Sequence, residues 1–219
     1  MAEATPVTTR DGTRDLLVFA ALLAPVFAWS AWMPKERVTW WLEVAPVVLG
    51  YGAACGVRRR FALTRMLLLA LWLHAVILLA GGHFTYAEVP LGEWCREWFG
   101  WPRNNYDKLG HFAQGFVPAL LVREILLRTS PLGPVAGGRG ASRWLGFLCV
   151  SVALAFSALY ELIEWLTAVV SGDGAEAFLG TQGYIWDTQT DMAMALLGAV
   201  VALVFLGRAQ DRAVARMPG

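Results

Sequence analysis

The stretch Asn105–Arg128, "NYDKLGHFAQGFVPALLVREILLR", sets Asp107, Lys108, His111 and Gln114 within eight residues and then continues as an apolar run. A helix of about 20 predominantly apolar residues crosses the roughly 30 Å of bilayer hydrocarbon. The run therefore predicts a membrane helix over 108–128, with a polar mouth at its start. Working outward, five more runs meet the same test, at 15–33, 40–56, 63–81, 144–170 and 188–207. Pro25, Pro46 and Pro118 fall inside spans, where neighbouring helices re-satisfy the freed backbone groups.

Composition agrees. Hydrophobic residues make up 57% and charged residues 16% of the 219, with a mean hydropathy of +0.51. That balance points to a chain solvated by lipid rather than to a soluble domain. The expected fold is an all-α integral membrane bundle of six transmembrane helices. Residues 1–14 read as a polar tail, 15–208 as a single transmembrane domain and 209–219 as a cytoplasmic tail. The first run lacks a small-residue cleavage site and reads as a retained helix.

A net charge of +1 hides an asymmetry. Thirteen arginines (10, 14, 58, 59, 60, 65, 123, 128, 139, 143, 208, 212 and 216) fall on the side holding both termini. Lys35, Arg37, Arg96, Arg103 and Lys108 fall on the other. Basic residues concentrate on cytoplasmic loops, so both termini are expected in the cytoplasm. The same rule explains Arg58-Arg59-Arg60, and no nucleic-acid partner is expected. Cys55, Cys95 and Cys149 have no metal-ligand spacing and read as small hydrophobes.

Between spans, 129–142 is rich in Gly, Pro and Ser and is expected to be a flexible cytoplasmic link. In the outer loop 82–106, Trp94, Trp98 and Trp101 recur at helical spacing. They predict a short interfacial helix in the outer headgroup region, an aromatic anchor or a lid. The loop 171–186 is glycine-rich with two acids and no base, a composition suited to close approach by a cation or polar ligand.

Three helices each carry a pair of potential ligands. Asp107 and His111 lie at i and i+4, Glu161 and Glu164 at i and i+3, and Asp187 and Asp191 at i and i+4. Glu161 and Glu164 lie about 27–32 Å along a helix starting near Arg143, at 1.5 Å per residue, which brings them to the outer level of the other pairs. Mid-helix acids in lipid have no capping role, and ionised carboxylates there cost about 2.5–3.5 kcal/mol each on insertion scales. Asp107 and Asp187 have an alternative as helix N-caps, and Lys108 as a cation that snorkels outward. His74 reads as a hydrogen-bonded packing residue. His83 and Gln114 are possible auxiliaries.

Gathered carboxylates repel one another, so they need a positive partner or bound protons. A divalent metal ion (Zn, Mn or Mg) held by Asp107, His111, Glu161, Glu164, Asp187 and Asp191 answers that need. Raised carboxylate pKa values and proton relay answer it too.

The blocks "YDKLGHFAQGFVPALL", "LYELIEW" and "LGTQGYIWDTQTDM", spread over 106–192, resemble the YjdF-like family of bacterial inner-membrane proteins. That resemblance implies architecture and location, without an activity. The block from Asp107 and Lys108 to His111 and Phe112 is also similar, over a short length, to VanZ-like membrane proteins, which points toward the cell envelope.

The leading functional expectation is a metal-dependent hydrolase or transferase on a lipid-linked or envelope substrate, with Glu164 or Glu161 as the proton acceptor. No Ser or Cys has a suitable neighbouring base, which disfavours covalent catalysis. The rivals are a proton or cation transporter and a non-catalytic ligand-binding membrane protein. Against transport, the cytoplasmic half offers few polar groups beyond Arg123 and Glu124. The sequence sets no oligomeric state.

Overall fold

The structure, a computed structural model, describes residues 11–132, 134–171 and 181–217. Every regular element among these residues is a helix, without strands. The order is α1 (Thr13–Ala31), α2 (Arg37–Val57), α3 (Arg65–Phe84), a 3-10 turn (Tyr86–Glu88), α4 (Pro90–Phe99), α5 (Tyr106–Thr129), α6 (Pro134–Ser171) and α7 (Asp187–Val201). A π turn (Ala202–Leu206) joins α7 to α8 (Gly207–Ala215).

Five of these segments are long and apolar enough to cross a membrane: α1, α2, α3, the Arg143–Val170 part of α6, and the continuous α7–α8 segment. At 24 residues, or about 36 Å, α5 also has the length. Asp107, Lys108, Arg123, Glu124 and Arg128 keep it outside that apolar class. The segment 209–219, expected as a tail, is helical as far as Ala215 and buries Gln210.

Local chemistry sets the helix ends. The Glu36 carboxylate accepts the Val38 and Thr39 N–H groups at 3.1 and 2.5 Å, so α2 starts ahead of its apolar run and continues through Pro46. The expected link at 129–142 is mostly helix. α5 runs to Thr129 and the described part of α6 starts at Pro134, a residue whose missing N–H leaves no bond unmade in a first turn.

The expected helix in the outer loop is α4. It ends where Gly100 takes a left-handed φ of +64°, and the N–H groups of Gly100 and Trp101 both reach the Arg96 carbonyl. Trp94 and Trp98 lie exposed on it. Trp101 falls beyond the helix, against Phe99 with ring centroids 5.0 Å apart. Cys149 is buried, Cys55 and Cys95 are half-buried, and all three are free thiols.

At the centre, α5 packs against α3, α6 and α7. A Cβ on Gly115 would collide with the Ala195 backbone, and one on Gly198 with the Phe112 backbone, so α5 and α7 cross with their main chains touching. Below the crossing, Leu67, Ala119, Leu120, Ala153, Ala199 and Ala202 form a sealed apolar layer. Beyond that layer Glu124, fully buried, accepts the Thr64 N–H and hydroxyl at 2.8 and 2.6 Å. Arg123 pairs with Asp211 at 2.7 Å, and Gln210 donates to the Leu120 carbonyl at 2.7 Å. A second apolar cluster, around Leu23, Trp40, Val44 and Leu79, joins α1, α2 and α3.

Candidate functional site

Six acids are buried toward the end of the bundle where α5 and α7 begin: Glu43, Asp107, Glu161, Glu164, Asp187 and Asp191. The glycine crossing sets the first turns of α5 and α7 side by side. Asp107 and His111 thereby meet Asp187 and Asp191, and α6 adds Glu161 and Glu164.

Asp107 and Asp187 are not N-caps. The cap positions belong to Asn105 and Trp186, neither of which makes a side-chain cap bond. Both aspartates sit one or two residues inside their helices and face cations.

The nearer cation is Lys108, which turns inward rather than snorkelling. Its Nζ lies 2.6 Å from Asp191, 2.8 Å from Asp187 and 3.1 Å from Asp107. Three carboxylates within contact outweigh the hydration an exposed ammonium would keep. Arg103, which the sequence reading left among the outer-loop charges, donates to Asp187 at 2.8 Å and to the Thr181 carbonyl at 2.8 Å. Its guanidinium lies 4.5 Å from the Tyr184 ring centre.

Beside it, Gln182 accepts the Asn104 N–H at 3.2 Å and donates to the Asn104 carbonyl at 2.8 Å. These bonds join the loop before α5 to the loop before α7. Of the 171–186 loop, the acids Asp173 and Glu176 lie outside the described residues.

His111 sits between the two halves of the cluster. Its Nδ1 is 3.0 Å from Gln114 Oε1 and 3.7 Å from Glu161, and its Nε2 is 3.6 Å from Asp191. His111, Glu161 and Asp191 each offer one ligand atom within 4.8 Å of the others. Glu161 Oε1 is sealed from solvent without a hydrogen bond. Asp107, Asp187 and Asp191 form a second such group, but Lys108 already occupies its centre.

Glu164 belongs to neither group. It lines a cavity of about 370 Å³ together with Glu43, His74, Tyr86, His111 and Tyr160. Tyr160 donates to Glu43 at 3.3 Å, and Tyr86 is also a hydrogen-bond partner of Glu43. Burial first, and the adjacent Glu43 carboxyl second, hold the Tyr86 phenol well above its ordinary range, so it stays a donor. His74, expected to be hydrogen-bonded, has its Nε2 buried and unpartnered at this cavity. His83 does not join the site. Its Nδ1 meets the Ser30 carbonyl at 3.1 Å, and its ring packs against Trp29 and Phe84.

Sequence reasoning missed Glu43, Tyr86, Tyr160 and Arg103. Glu43 had a signal, since it is an acid inside the 40–56 apolar run, past the positions where it could cap the helix. Arg103 offered only its i, i+4 spacing to Asp107. Nothing local distinguished the tyrosines.

Residues 16–212 match the family described as "Predicted membrane protein (DUF2238)". The chain is 47% identical over 197 residues to the inner membrane protein YjdF of Escherichia coli (strain K12), covering 90% of this chain and 91% of that relative. The likeness to VanZ-like proteins is not shown by these matches. No solved structure matches. Family and relative agree with the apolar helices that surround the buried acids, and the chain belongs to the DUF2238 family of membrane proteins.

Proposed function

We propose that the chain is a six-span protein of the bacterial cytoplasmic membrane, with both termini in the cytoplasm and a divalent cation held by His111, Glu161 and Asp191 toward the outer face. In this reading it acts on a lipid-linked or other envelope substrate. The observation that carries the proposal is Glu161, whose buried Oε1 lacks a hydrogen bond and lies 3.7 Å from His111. The same carboxylate has Thr188 as a hydrogen-bond partner, but a buried oxygen left unbonded is costly, and a cation among these three ligands would remove that cost. One imidazole with two carboxylates suits Zn or Mn, and Mg less well.

Bound there, the ion would supply Lewis-acid chemistry. The chain's own residues would do the rest. Gln114 orients the His111 ring through the 3.0 Å contact at Nδ1. Glu164, at the adjoining cavity wall one turn from Glu161, accepts a proton from a group bound in the cavity. The apolar layer of Leu67, Leu120, Ala153 and Ala199 beneath the site favours a one-sided pocket over a transport path. A second reading, a non-catalytic binding protein, is favoured by Lys108 and Arg103, because they set two positive charges against Asp107, Asp187 and Asp191 with no added ion.

Elemental analysis of detergent-purified protein separates the two. The metal reading expects about one divalent ion per chain, whose removal lowers the melting temperature. His111→Ala and Glu161→Gln should lose the ion, while Glu164→Gln should keep it. Stripped of metal, Glu164→Gln should melt no lower than stripped wild type, since it removes one of several repelling charges. Metal-free protein indifferent to chelator and without affinity for Zn, Mn, Mg or Ca leaves only the binding reading.

A further inference from the structure

The cavity that Glu164 lines opens sideways. Leu49 on α2 and Phe156, Leu159 and Ile163 on α6 line it, yet they are 72, 54, 52 and 42% exposed, so they form its rim. α2 packs on α1 and α3, whereas α6 packs on α5 and α7, and α2 and α6 are not packed closely on one another. Both helices are long and apolar enough to cross a membrane, so in a bilayer the gap between them would face hydrocarbon.

Inside, the chemistry changes. Glu43 and Glu164 line the cavity, with the phenols of Tyr86 and Tyr160 beside Glu43, and no Lys or Arg is among its lining residues. Glu164 is only 9% exposed and makes no hydrogen bond among the described residues. His74 Nε2 is likewise unpartnered.

We propose that this cavity holds the ammonium-bearing head of a bilayer lipid, which enters between α2 and α6. A primary ammonium carries three donors, matching two carboxyls, and a cation is also favoured over the face of a phenol ring. A head bearing only phosphate would instead meet Glu43, Glu164 and Asp107 with no basic side chain on the wall. The apolar rim argues for a lipid rather than a soluble amine, since an acyl chain can lie along Leu49 and Phe156 while the head reaches Glu164. The inference goes beyond the cation at His111, Glu161 and Asp191 and does not depend on it.

The test is lipid binding to delipidated, detergent-purified protein, counted by native mass spectrometry before and after treatment with chelator. The probes are phosphatidylethanolamine and phosphatidylglycerol with the same acyl chains. Wild type should bind one phosphatidylethanolamine about tenfold more tightly than phosphatidylglycerol, a difference of 1.4 kcal/mol. Glu43→Gln and Glu164→Gln together should abolish the preference, and Phe205→Ala, on an exposed face of the π turn, should keep it.

Equal binding of the two lipids by wild type overturns the proposal without any variant. So does a preference that survives in the doubly substituted protein, or free ethanolamine competing as well as the lipid does. A preference that persists in protein shown to bind no metal supports the lipid site while removing the cation reading.

Discussion

The Lys108 ammonium reaches carboxylates from two helices, Asp107 on its own and Asp187 and Asp191 on α7. That geometry divides the acidic cluster into a part that faces the protein's own Lys and Arg cations and a part that does not. Asp107 and Asp187 share Lys108 and Arg103, whereas Glu161 faces only His111 at ion-pair range. Removing one partner of a buried pair leaves an uncompensated charge and costs about 3–5 kcal/mol. Lys108→Ala is therefore expected to lower stability by about 3 kcal/mol, near the bottom of that range because Arg103 remains. Asp191→Asn in the same chain should restore a large part of it, since the substitution removes the charge left bare. Melting temperatures of the two variants in detergent check this. A Lys108→Ala protein as stable as wild type would mean that another cation holds these aspartates.

At the scale of elements, the site exists because two backbones touch. Gly115 on α5 and Gly198 on α7 each leave room for the other helix's main chain, and Asp107, His111, Asp187 and Asp191 lie one to three turns away on the same helices. A side chain at either glycine must push the helices apart, because the obstacle is backbone and cannot rotate away. Overpacking of this kind costs about 1–3 kcal/mol. Gly198→Ala should therefore lower the melting temperature and, by moving Asp191 away from His111, weaken any ligand binding that needs both. A surface change on the same helix, Leu197→Ala, is the control, since Leu197 is 49% exposed. An unchanged melting temperature and unchanged binding in Gly198→Ala would show that the crossing does not position the site. The sequence shows both glycines, but not that they meet. Glycine is common in membrane helices, and only the packed structure reveals which ones replace a contact.

Across the whole molecule, what could be read beforehand was whatever is local in the chain. Apolar runs gave the long helices, and i, i+3 and i, i+4 spacing gave the acid pairs on α5, α6 and α7, because both are properties of a single helix. Glu43 and Tyr86 reach the cavity, and Arg103 reaches Asp187, across many residues of intervening chain, and no local pattern shows those meetings. The start of α6 was hidden by composition, since Gly and Pro near 134–142 imitate a loop. The charge asymmetry is likewise local, but the structure gives it a geometric meaning. At one end of the bundle the Gly12 N–H meets the Arg58 carbonyl and Arg128 donates to the Ala62 carbonyl, so both lie beside the loop after α2. Arg103 and Lys108 stand at the buried acids, on the other side of the apolar layer. If basic loops stay in the cytoplasm, the acids and the α4 loop face outward. A fluorescent-protein fusion after Gly219 should then be bright, and an alkaline phosphatase reporter in the 82–106 loop should be active. The converse pattern, a dark C-terminal fusion with an inactive phosphatase, would turn the bundle over. The cavity would then open near the inner leaflet, and the substrate would have to be sought among cytoplasmic or inner-leaflet molecules instead of envelope ones.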